Sequence, residues 1–168
     1  MSHENFQRRV AVLRDSWAER RALKGLAGAH DFDSQFGMLL TIYQWAEDAA
    51  GDIRAVYGEA LAVTSSPPPD RAGSAPAFVV TIGTNYTVRF VLTERTRMGS
   101  PRWAIGVTVG AGGPGGVITA AGPERRNSQW TRGRLEDVLL SVLGAYERAI
   151  SEGGGWPPAS GSQRARGA

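Results

Sequence analysis

The stretch AFVVTIGTNYTVRFVLTERTR, residues 77–97, decides how this chain folds. Phe78, Val80 and Ile82 share one parity, and Tyr86, Val88, Phe90 and Leu92 take it up again after Gly83-Thr84-Asn85. Between them stand Thr81, Thr87, Arg89, Thr93 and Arg95, broken only by Val79 and Val91. A period of two with aromatic and β-branched residues on one side describes strands with a single buried face. Gly83-Thr84-Asn85 suits a three-residue hairpin loop in which Gly83 or Asn85 takes positive φ. That loop sets Ile82 opposite Tyr86, Val80 opposite Val88 and Phe78 opposite Phe90. All three pairs face the core, so loop and pattern demand the same register.

Alternation continues toward the C-terminus. Met98-Gly99-Ser100-Pro101 reads as a second turn, followed by Trp103, Ile105, Val107 and Val109 inward and Arg102, Ala104, Gly106 and Thr108 outward. Gly110–Gly116 reads as a third turn, with Ile118 and Ala120 inward on a last strand that Gly122-Pro123 ends. Residues 77–122 are thus expected to form a four-stranded antiparallel meander.

Helical periods flank it. Phe6, Val10, Leu13 and Trp17 fall on one stripe of a helix from Glu4 to about Lys24, with Arg9, Arg14, Arg20 and Arg21 beside it. Gly25 to Gly28 reads as a break, and His30-Asp31-Phe32-Asp33-Ser34 as a connector that caps a second helix over 35–62. Two helices with a short connection predict an antiparallel hairpin over 4–62, packed on the aromatic sheet face with its apolar stripes buried. Residues 64–76, with three consecutive prolines, read as a linker. Thr131 is a good N-cap for a helix over 131–150, whose Leu135, Val138, Leu139, Val142, Leu143, Tyr146, Ala149 and Ile150 make one stripe. The expected fold is α+β: one domain over 1–150, with a disordered tail over 151–168.

Composition removes several chemistries. Among 168 residues there is no cysteine, so there is neither a disulfide nor a thiolate. Met1–Arg9 carry charges without an apolar segment, and no run reaches the roughly 20 apolar residues of a membrane span. A cytoplasmic protein without a membrane partner is expected. The glycines at 110–116 run into another strand rather than a helix, and no Lys-Ser/Thr follows, so they are not a phosphate loop. No G-x-S-x-G elbow occurs, and His3 and His30 are the only histidines. His30, Asp31 and Asp33 could share a divalent cation, but further ligands are lacking and acids also suit the start of a helix. No metal, no other cofactor and no catalytic residue is assigned.

Charge points elsewhere. Residues 67–126 carry seven basic and three acidic groups, whereas 26–66 carry one and six. Alternation places Arg89, Arg95, Arg97 and Arg102 together on the outward sheet face. They are the expected partner-binding residues, for a non-catalytic binding or adaptor protein that meets an acidic protein. The alternative is a nucleic-acid-binding protein using the same arginines with Arg125, Arg126, Arg132 and Arg134. Against it, Phe78, Tyr86, Phe90 and Trp103 all point inward, so the open face offers bases nothing to stack on. A small metal-dependent enzyme at His30-Asp31-Asp33 is the third reading.

Overall fold

A computed structural model of the chain describes residues 3–97, 99–111, 117–122 and 124–152. Its elements, in chain order, are a helix α1 (His3–Tyr57), strands β1 (Val63–Ser65), β2 (Ala77–Ile82), β3 (Tyr86–Arg97), β4 (Ser100–Ala111) and β5 (Val117–Ala121), and a helix α2 (Arg132–Glu152). The fold is α+β. The strands form one antiparallel sheet in the order β1-β2-β3-β4-β5, with both helices on the same face.

The hairpin register is the one the three-residue loop demands: Ile82 pairs with Tyr86, Val80 with Val88 and Phe78 with Phe90. Gly83 supplies the positive φ, at +65°. Phe78, Val80, Ile82, Val88, Phe90, Leu92 and Ile105 are buried on the inner face. The Phe78 and Phe90 rings stack there with centroids 4.7 Å apart. Leu39, Ile42 and Ala46 of α1 and Leu135, Leu139 and Val142 of α2 cover them. Thr131 caps α2, its hydroxyl accepting the Arg134 N–H at 3.2 Å. Ile150 departs from the expected stripe and is exposed, although Tyr146 and Ala149 beside it still pack against the core.

The expected helical hairpin is replaced by one continuous helix of 55 residues, about 80 Å long at 1.5 Å per residue. Neither Gly25 nor Gly28 breaks it. A helical glycine costs about 1 kcal/mol relative to alanine, and no proline stands between residues 3 and 57 to add a steric stop. Gly28 has a packing reason: a Cβ there would lie 2.7 Å from Cγ of Pro101, so glycine lets α1 cross the β3–β4 hairpin closely. His30–Ser34, expected as a connector, lie inside the helix.

The helix ends at Tyr57, and Gly58 follows with φ +57°, the left-handed residue that closes helices. The expected linker over 64–76 also proves partly ordered into the sheet. Val63–Ser65 pair with Val80–Ile82, and Ser66 continues the ladder by donating its N–H to the Val79 carbonyl at 2.9 Å. Leu61 and Val63 are buried, which pulls this short edge strand onto the core. Further along, Arg71 forms an ion pair with Asp33, its guanidinium 5.7 Å from the centre of the Phe32 ring. The expected glycine-rich turn tip at 112–116 and most of the expected tail (153–168) lie outside the described residues.

Candidate binding surfaces

The outward sheet face follows from the β3–β4 ladder. Arg89 stands opposite Thr108, Arg95 opposite Arg102, and Arg97 opposite Ser100. Arg95 and Arg102 are therefore like charges side by side, an arrangement that costs energy without a counter-ion. Glu124 supplies one. Beyond Gly122 the chain keeps following β4, with Arg125 and Ile105 exchanging both backbone hydrogen bonds at 2.8 and 2.9 Å. The Glu124 carboxylate then accepts two hydrogen bonds from Arg95, from Nε at 2.9 Å and Nη2 at 2.7 Å, and a third from the Thr93 hydroxyl at 3.1 Å. The Arg95 bonds outweigh partial burial and, with Thr93, hold the Glu124 carboxyl below its usual range. Of the arginines expected to meet a partner, Arg89 and Arg102 are exposed, and Arg95 is exposed but already engaged by Glu124.

Arg126, one residue from the sheet, turns the other way. Its Nη2 donates to Asp31 Oδ1 at 2.5 Å, and its Nη1 donates to Asp31 Oδ2 at 3.3 Å and to the Trp103 carbonyl at 3.1 Å. The Trp103 N–H donates to Asp31 Oδ2 at 2.8 Å. One turn on, the buried Gln35 accepts the Asn127 N–H at 2.7 Å, and the Asn127 amide donates to Ser34 at 2.7 Å. Asp31, Ser34 and Gln35 thus clamp α1 to β4 and to the connector before α2. Burial pushes the Asp31 carboxyl up, but the Arg126 and Trp103 hydrogen bonds and the charges of Arg126 and Arg102 outweigh it and hold the carboxyl below its usual range.

This geometry gives the His30, Asp31 and Asp33 cluster a structural use. Asp31 serves Arg126, Asp33 serves Arg71, and His30 is exposed. Among the described residues no three His, Cys, Asp or Glu side chains gather as a metal-holding group.

A further surface lies on α1 itself. From Phe6 to Ala27 no residue is buried, and Gly28 is the first that is. Phe6, Leu13 and Trp17 are 60%, 59% and 50% exposed. Eighteen residues make five full turns of an α-helix, so residues 18 apart share a meridian. By that measure Phe6, Val10, Leu13 and Trp17 stand on the meridians of Ile42, Ala46, Ala49 and Ile53. The face that covers the sheet therefore continues beyond its end as an apolar stripe with none of the described strands beneath it. Arg9 and Arg20 border one side of the stripe and Arg14 and Arg21 the other, whereas Asp15 and Glu19 fall on the opposite face. Arg20 sits 5.2 Å from the centre of the Trp17 ring, and Arg14 donates to Asp15 at 2.9 Å.

The opposite end of the molecule carries a groove of contrasting charge. There α1 and α2 run side by side and parallel, with Arg132 3.5 Å from Asp48 at one end and Tyr57 donating to Glu147 at 2.7 Å at the other. Between these ties is a groove of about 300 Å³ with Ala49, Ile53, Leu139 and Leu140 as apolar lining and Asp52 and Glu136 as polar lining. Leu140 is 62% exposed there.

Among the described residues no helix is long and apolar enough to cross a membrane. Compared with known proteins, the chain matches no family model, no curated protein and no solved structure.

Proposed function

We propose that the protein is a non-catalytic binding or adaptor protein whose contact surface is the overhanging part of α1, seconded by Arg89 and Arg102 on the sheet face. The observation that carries this reading is the exposed stripe Phe6-Val10-Leu13-Trp17, placed where the chain's own sheet has ended. Large apolar side chains in a contiguous exposed row are a cost to a free chain and mark an interaction site. Trp and Arg, which flank each other here, are the side chains on which interfaces most often depend. The stripe's borders are cationic throughout, so the matching surface is apolar with acidic edges. An acidic protein partner fits the arginines of the sheet face as well. On the sheet face nucleic acid fits less, because the inward aromatics leave that face no stacking platform and Glu124 already neutralises Arg95.

The test compares three proteins: wild type, Leu13→Glu with Trp17→Glu, and Arg89→Ala with Arg102→Ala. Each is measured for recovery of host proteins and for duplex DNA binding across a salt series. The helix variant should lose its protein partners at an unchanged melting temperature, and DNA binding should be weak and lost as salt rises. Nanomolar, sequence-selective DNA binding at physiological salt, or retention of every partner by both variants, would contradict the proposal.

A further inference from the structure

Resting on that reading of α1, we infer that the stripe's partner includes a second copy of this chain, whose acidic α1–α2 groove receives it. The two surfaces are complementary in each respect that can be compared. One is a row of large apolar side chains with arginines on both borders. The other is an apolar trough whose walls and ends carry Asp48, Asp52, Glu136 and Glu147, with Arg132 as the cation bridging Asp48 and Glu136.

Within one chain they cannot meet. Trp17 and Asp48 stand 31 residues apart on one uninterrupted helix, about 45 Å along its axis. A rigid rod cannot bring its ends together, so only another molecule can supply the groove. Pairing two overhangs with each other is the competing arrangement, but it would set Arg9, Arg14, Arg20 and Arg21 against their own kind with the acids facing away. Reciprocal seating, each overhang in the other's groove, would double the contact and close the assembly at two copies.

Two side chains test this without disturbing the fold, because both are exposed: Leu13→Glu blocks the overhang, and Leu140→Lys turns the groove against a cationic helix. Sedimentation equilibrium of the full chain should show concentration-dependent self-association that weakens with salt. Each variant alone should associate about tenfold or more weakly, at an unchanged melting temperature. Mixed together, the two variants should form a one-to-one complex, because the Leu140→Lys chain keeps a sound overhang and the Leu13→Glu chain a sound groove. Self-association by Leu140→Lys equal to wild type, with no gain on mixing, would show overhang-to-overhang pairing and overturn the inference. A wild type monomeric through the micromolar range would overturn it too. In that event, loss of host partners by the overhang variant would still uphold the binding function, and their retention would remove both.

Discussion

Gly25 and Gly28 lie three residues apart in α1 and answer to different constraints. Nothing lies within 4 Å of a Cβ built on Gly25, whereas one on Gly28 would strike Pro101. Gly25→Ala should therefore stabilise the protein by about 0.5–1 kcal/mol through helix propensity alone. Gly28→Ala should destabilise it despite the same propensity gain, and denaturant midpoints of the two variants should move in opposite directions. Asp31 is the other residue on which the helix depends. Its Arg126 and Trp103 bonds are made to a charged acceptor, so Asp31→Asn should cost about 1.5–3 kcal/mol at neutral pH. Because its folded-state carboxyl titrates below the unfolded one, the charged form's contribution is complete above about pH 4 and fades as pH falls through the folded value. The gap between wild type and Asp31→Asn should accordingly narrow in acid, and an unchanged gap at pH 3 would mean the carboxylate charge is not what holds the clamp. None of these partnerships was legible in the sequence. Asp31 reads as a metal ligand or a capping acid until Arg126, 95 residues away, is brought beside it, and Glu124 meets Arg95 only across 29 residues.

At the scale of elements, what was legible was what is local. The hairpin β2–β3 follows from period two and a three-residue loop, both contained within 21 residues, and its register agrees pair by pair. Phe90, stacked on Phe78 and 5.9 Å from the Trp130 ring, sits where α2, its connector and the sheet converge. Phe90→Ala should cost about 3–5 kcal/mol by chemical denaturation, and a cost below about 1 kcal/mol would mean that this face is not the core. The strand β1 escaped because three residues are too few to display alternation, and the prolines after it argue for linker. Continuity of α1 escaped for a different reason. Glycine at two positions and the acids Asp31 and Asp33 just after them are the ordinary signals of a helix boundary, yet here Gly28 admits a neighbour and the acids bind cations across the interface.

The whole molecule then differs from the expected one in a way that bears on function. A folded-back hairpin would bury Phe6, Val10, Leu13 and Trp17 against the chain's own core and leave the sheet arginines as the main candidate for binding. A straight helix carries those side chains past the end of the sheet, gives them an arginine border, and moves the binding surface from the sheet to the rod. Where the protein binds therefore turns on α1 being one unbroken helix, and the lack of cysteine makes that continuity directly measurable. Spin labels at Gln7→Cys and Gln44→Cys, both exposed positions, can be placed in chains diluted with unlabelled protein so that only distances within one chain are read. A continuous helix puts those 37 residues about 55 Å apart. A pulsed dipolar distance distribution centred near that value is expected, and one centred below about 30 Å, as a folded-back hairpin would give, would show that the helix is broken.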